Sequence, residues 1–218
     1  EMTSSLVGSE MCIRDRYILT EDNALRMDYR VSSDADTIIN LTNHTYFNLD
    51  GGGDVLNQKL RIYASRYLEG NNETCPTGNI LPVAGTPMDF RAGKPIGRDI
   101  DTGFAQTTMV GGGYDHCYVI DRARGSSQSI CAWATSGKTG ISMKLYTTQP
   151  GIQLYTANFL APVTAGKDGA HYAARDAVCF ETEDFPDAPN HPNFPDTTLL
   201  PGKPYSSTTI YRFDLAEM

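Results

Sequence analysis

The chain has 218 residues, of which 40% are hydrophobic and 20% charged, and its formal net charge is −8 at pH 7. That length and balance fit one large globular domain with a core of useful size, and β-rich folds of this length commonly stay undivided. The acidic surplus argues against a nucleic-acid surface, which needs clustered Lys and Arg, and suits a neutral small molecule better than a polyanion.

In chain order, the stretch SSLVGSEMCIRDR (4–16) resembles translated sequencing-adaptor sequence and follows neither a period of 2 nor one of 3.6. Residues 1–16 are therefore read as a non-native leader outside the fold, and 17–218 as a domain incomplete at its N-terminus. On that reading, the lack of a signal peptide carries no information on localisation. From Tyr17 onward the signal is β. Leu25, Met27, Tyr29 and Val31 alternate with Arg26, Asp28 and Arg30, the pattern of a strand with one buried face. The run TIINLT (37–42) is read as an apolar strand leading into NHTYFNL (43–49). Leu60, Ile62 and Ala64 alternate again, as do Ile141, Met143 and Leu145, and TTIYRF (208–213) has strand composition. Gly and Asn clusters at 51–53, 71–72 and 111–113 read as turns. The proline-rich stretch 185–204 reads as an ordered connector, because Pro cannot donate to a ladder. No long amphipathic helix, internal repeat or linker is evident, and no apolar run approaches the roughly 18 residues of a membrane span. Many short strands with Gly and Pro punctuation imply an all-β sandwich or barrel.

The 5 cysteines, Cys12, Cys75, Cys117, Cys131 and Cys179, include no C-x-x-C pair. Buried free thiols are expected rather than a disulfide framework or a zinc site. Neither GGG run is followed by Lys-Ser or Lys-Thr, which removes a phosphate-binding loop.

Three stretches hold chemistry. NHTYFNL sets His44 beside polar side chains and the aromatic faces of Tyr46 and Phe47, the mixture that sugars require. On composition alone a structural histidine satisfied by its neighbours remains the plainer reading. GGGYDHCYVI (111–120) opens a strand with Asp115 and His116, which must face opposite ways. Asp115 can accept from sugar hydroxyls or simply begin the strand, and metal ligation by His44 and His116 has no supporting spacing. VCFETEDFPDAPN (178–190) puts Val178 and Phe180 on one face and Cys179, Glu181 and Glu183 on the other. Desolvation beside an apolar run, with a like charge two residues away, raises a carboxyl pKa toward that of a general base; a solvated acidic strand end is the alternative.

NHTYFNL, VAGTPMDFR (83–91), GGGYDH, PGIQLYTANF (150–159), CFETEDFPDAPNHPNFP (179–195) and LLPGKPYSSTTIYRF (199–213) together resemble the aldose 1-epimerases, or galactose mutarotases, in order and rough spacing. The resemblance runs from about Tyr17 to the C-terminus. It implies a large antiparallel β-sandwich, a cytoplasmic enzyme, a neutral aldohexose as substrate, and neither cofactor nor metal. It makes His44 the general acid at the ring oxygen and Glu181 the general base at the anomeric hydroxyl. Asp115 and Gln153 match sugar-hydroxyl ligands, and Thr45 and Tyr46 match positions lining the pocket. The family's upstream Arg and second His motifs have no counterpart here, so an incomplete pocket, weak activity, and exposed edges prone to aggregation are expected. A hexose-6-phosphate 1-epimerase and a noncatalytic carbohydrate-binding sandwich are the rival readings. Oligomeric state does not follow from these residues.

Overall fold

The computed structural model describes residues 10–122, 126–162 and 166–215. In chain order the strands are β1 (Met11–Leu19), β2 (Ala24–Ser33), β3 (Thr37–Ile38), β4 (Tyr46–Phe47), β5 (Lys59–Ile62), β6 (Ala64–Gly70), β7 (Pro76–Pro82) and β8 (Lys94–Pro95). After the short helix α1 (Ala105–Met109) come β9 (Asp115–Ile120), β10 (Ser129–Thr135), β11 (Ile141–Thr147), β12 (Gly151–Tyr155), β13 (Val178–Glu183), β14 (Thr198–Leu199) and β15 (Tyr205–Leu215). A seven-stranded sheet runs β1-β2-β15-β11-β10-β5-β8 and a six-stranded sheet runs β4-β13-β12-β9-β6-β7; β3 and β14 pair apart from both. The pairings are antiparallel, as the family resemblance implies.

Alternation decides which face each strand buries. In β2, Met27, Tyr29 and Val31 are buried and Arg26 and Arg30 exposed. Met27, Leu60, Ala132, Ala134, Met143, Leu145 and Tyr211 of the larger sheet share one core with Tyr67, Tyr118, Ile152, Leu154, Val178 and Phe180 of the smaller. That shared core makes the two sheets a sandwich. The Tyr211 hydroxyl donates to the Phe180 carbonyl at 2.9 Å, satisfying a polar group that crosses the interior.

The run Leu60-Ile62-Ala64 is not one strand. It turns the corner of the sandwich at Tyr63, whose N–H donates to Cys131 O (2.9 Å) and whose carbonyl accepts from Asp121 N (2.8 Å). The run 37–42 is strand only at Thr37–Ile38. Beyond it, Ile39 N donates to Thr197 O at 3.0 Å and the chain leaves the ladder with the Ile39 side chain packed on Val31 and Leu199. The proline-rich stretch is a connector with a single helical turn at Ala188–Asn190 and the two-residue β14. Residues 4–9 of the adaptor-like stretch lie outside the described residues, whereas its end lies in β1, which pairs with β2 from Met11↔Ser33 to Leu19↔Leu25. Ladder bonds need no side-chain period, and none is buried there, for Met11 through Tyr17 are exposed. The cysteines divide: Cys117, Cys131 and Cys179 are buried as expected, while Cys12 and Cys75 are exposed, and all are free thiols. Among the described residues no helix is long and apolar enough to cross a membrane.

Candidate active site

The outer face of the smaller sheet gathers polar groups from four neighbouring strands. Cross-strand pairing sets Glu181 on β13 opposite Gln153 on β12, and Gln153 opposite Cys117 on β9. The adjoining row runs Tyr46 on β4, Cys179, Tyr155 and Asp115. Residues paired across a ladder share a face, so these side chains stand together, away from the core that holds Val178 and Phe180.

His44 comes from the irregular segment before β4, and two asparagines pin that segment along β13. Asn40 bonds the backbone of Asp184 twice, Nδ2 to O at 3.0 Å and N to Oδ1 at 2.9 Å, imitating a strand partner. At the other end, Asn48 Nδ2 donates to Asp176 O at 2.9 Å. Between these clamps His44 Nε2 lies 3.5 Å from Glu181 Oε1. Its ring stacks on Tyr46 with centroids 5.1 Å apart and meets the edge of Tyr155 at 6.0 Å. The imidazole is about half exposed, whereas the Glu181 carboxylate is nearly covered.

Gln153 Nε2 donates to Asp115 Oδ1 at 2.7 Å. Its other amide atom, Oε1, is buried and accepts no hydrogen bond among the described residues. Such an oxygen lacks an N–H or O–H donor. Asp115 is itself placed by a loop network. Asn158 Nδ2 donates to Val110 O (2.8 Å) and Tyr114 O (3.0 Å), while Thr156 Oγ1 accepts from Tyr114 N at 2.9 Å. A Cβ on Gly113 would lie 1.9 Å from Asn158 Oδ1, so this third glycine of GGGYDH is there for close approach. Its neighbours Gly111 and Gly112 have φ of 81° and 76°, as the turn reading requires.

Burial governs the electrostatics. It raises the Glu181 carboxyl above the ordinary carboxylate range, against the pull of the His44 charge and with a further push from Asp115. Asp115 is raised by the same cause, offset by its bond from Gln153 and by His44. Glu183 is pushed up to about 8, by burial first and then by Glu181, Asp184 and Asp115. It is thus no solvated strand end. His116 faces the interior, opposite to Asp115. Its Nδ1 accepts from Asp115 N at 3.2 Å, its Nε2 meets Gln106 Oε1 at 3.2 Å, and burial depresses its pKa to about 4. It is a neutral core residue.

Of the residues singled out in the sequence, His44, Tyr46, Asp115, Gln153 and Glu181 meet on this face. Thr45 is adjacent, but its hydroxyl donates to Asn43 Oδ1. The sequence reading missed Tyr155, whose edge supports His44, because only the register between β12 and β13 brings it there.

An antiparallel sandwich presenting an imidazole and a desolvated carboxylate beside an amide–carboxylate pair is an arrangement on which acid/base chemistry with a polar small molecule can be built. Comparison with known proteins narrows that class. The sequence profile of the aldose 1-epimerase family matches residues 10–212. The chain is 39% identical over 201 residues to the aldose 1-epimerase of Escherichia coli K12, covering 91% of this chain and 57% of that protein. It is 37% identical over 194 residues to the galactose mutarotase of Rattus norvegicus, covering 88% and 54% respectively. The crystal structure of an aldose epimerase homologue from C. elegans superposes with a TM-score of 0.86 at 31% identity, over 95% of this chain and 61% of that one. The galactose 1-epimerase from Lactobacillus acidophilus superposes at 0.81 with 27% identity, over 95% and 58%. This chain belongs to the aldose 1-epimerase family. It spans little more than half the length of the relatives it matches.

Proposed function

We propose that this chain carries the proton-transfer groups of an aldose 1-epimerase, which interconverts the α and β anomers of an aldohexose such as galactose or glucose. The observation that supports this reading is the 3.5 Å approach of His44 Nε2 to Glu181 Oε1 beside the Asp115–Gln153 pair. The two oxygens that exchange protons, O1 and O5, are both bonded to C1. Two side chains this close can each reach one of them at hydrogen-bond distance. Glu181 takes the proton from the O1 hydroxyl while His44 delivers one to O5. The C1–O5 bond breaks and the aldehyde forms. Rotation about C1–C2 turns the other carbonyl face to the O5 hydroxyl, and closure with reversed roles gives the other anomer. In this mechanism Glu181 begins ionised and His44 protonated. Each positioned group of this kind contributes about 10²–10⁴-fold. The chemistry is redox-neutral and uses only side chains, so it calls for no cofactor.

Asp115 and Gln153 hold sugar hydroxyls, with Tyr46 offering an apolar face and Thr45 a position at the rim. The carboxylates of Asp115 and Glu181 on one face would repel a phosphate, which favours a neutral aldose over a hexose phosphate. A binding-only sandwich would not need His44 and Glu181 together. As the further contacts that position the sugar, we propose groups in the part of the relatives' length that this chain does not span.

The test is polarimetry or exchange NMR of galactose anomers, with the chain and with a version extended upstream to the length of its relatives. In the extended protein, Glu181→Gln should abolish nearly all rate above buffer while saturation-transfer NMR still detects sugar binding. The rate should fall as the pH drops through the raised Glu181 pKa, above the range of an ordinary carboxylate. A variant with unchanged rate would remove Glu181 from this role.

A further inference from the structure

The opposite surface of the molecule, the outer face of the seven-stranded sheet, carries a second concentration of chemistry that anomer exchange does not use. Two adjacent cross-strand rows define it. One runs Arg61 on β5, Trp133 on β10, Lys144 on β11 and Arg212 on β15; the next runs Lys59, Thr135, Ser142 and Asp214. They face outward because the alternate positions Leu60, Ala134 and Met143 are in the core. Lys59, Trp133, Thr135, Ser142, Lys144 and Asp214 line a cavity of about 640 Å³ there. Small-molecule sites span roughly 300–1,000 Å³.

The charge of this patch runs against that of the chain. Lys59, Arg61, Lys144 and Arg212 stand against Asp214, on a protein whose net charge is −8. Arg61 lies over the Tyr63 ring at 4.6 Å and Arg212 is shared with Asp22 at 3.5 Å. Lys59 and Lys144, on either side of the cavity, form no ion pair among the described residues. Trp133 lies between them and remains partly exposed. A flat indole suits the C–H face of a pyranose. Flanking ammonium groups suit a carboxylate, and the Asp214 carboxylate suits ring hydroxyls, while the Thr135 and Ser142 hydroxyls are buried and donate to Ile141 O and Asp214 O at 3.3 Å.

We propose that this face is a second saccharide site, built for a sugar that bears a carboxylate, such as a hexuronate. A neutral sugar would leave both ammonium groups unpaired, and a simple anion would leave the indole uncovered. The site is separate from the Glu181 face and stands whether or not that face epimerises aldoses.

Trp133 is the sole tryptophan of the chain, so its emission reports this cavity directly. The chain is titrated at low ionic strength with D-galacturonate, D-galactose, inorganic phosphate and a short oligoglutamate. A saturable emission change with galacturonate and not with the other three is expected. Added salt should weaken it in the unaltered chain, because exposed charge pairs are screened. In the double variant Lys59→Ala, Lys144→Ala the affinity should drop about tenfold, the loss expected when charge-assisted contacts go. Both lysines point away from the core, and an unchanged Tm verifies that the variant is folded. No saturable change, an equal response to galactose or to phosphate, tighter binding of the oligoglutamate, or salt-insensitive binding would each overturn the proposal.

Discussion

Glu183 shows how a single position can carry a pH response. It stands two residues beyond Glu181 on the same face of β13, where burial and three neighbouring carboxyls raise it from 4.5 to about 8. A carboxyl raised on folding stabilises the native state while it is protonated in both states. That contribution is fully present below about pH 4.5 and is lost as pH rises through about 8. Glu183→Gln keeps the shape and removes the titration. Its Tm should therefore fall less than that of the unaltered chain between pH 5 and pH 9, as thermal unfolding across that range would show. Some decline should persist, since burial also raises Glu181, Asp115 and Asp184. Parallel curves for the two proteins would mean that Glu183 is not held protonated.

At the scale of elements, the loop 110–114 and the segment after β12 explain each other. Asn158, from PGIQLYTANF, holds the carbonyls of Val110 and Tyr114, and the hydroxyl of Thr156 donates to its Oδ1 at 2.7 Å. Gly113 leaves the space that Asn158 fills. Gly113→Ala should cost about 1–3 kcal/mol, as overpacking does, and should shift Asp115 relative to Gln153. Denaturant unfolding measures the first effect and the galactose KM of the extended protein the second; a variant unaffected in both would contradict this role for Asn158. This coupling also shows what the sequence could reveal. The motifs GGGYDH and PGIQLYTANF were legible, as were the core-facing residues of β2 and Met143 and Leu145 of β11, because period-2 alternation follows burial there; Ile141 is exposed and Ser142 buried against that pattern, and β13 is buried on both faces. The register that sets Gln153 opposite Glu181 was not legible, since it depends on strands far apart in the chain. Neither were the clamps by Asn40 and Asn48, which bond backbone that no side-chain pattern marks. β1 was missed for a related reason: it lacks a buried face, and alternation has nothing to record.

For the molecule as a whole, the consequence of β1 is exposure. Ile13, Tyr17 and Leu19 pair with Val31, Met27 and Leu25, so they lie on the sheet's inward side, yet they are 46%, 53% and 83% exposed. Among the described residues the core ends beneath β2, and β1 is an edge strand with an uncovered apolar face, a combination that invites association between molecules. Ile13→Lys with Leu19→Lys should raise the concentration at which the chain elutes as a single monodisperse species in size-exclusion chromatography. No gain in solubility would argue that association proceeds elsewhere. Charged edge residues are a common protection, and they cost little where nothing is buried.

The corner at Tyr63 bears on motion. One residue donates to β10 in the larger sheet and accepts from the end of β9 in the smaller, with no slack between Ile62 and Ala64. Sliding of one layer over the other would have to break both bonds at once, so the layers should open only together. Amide exchange gives this a number. The Tyr63 N–H should exchange no faster than the protected amides of β10 and β12, with an opening free energy equal to that of global unfolding. Faster exchange at Tyr63 would instead reveal a seam, with each sheet breathing by itself.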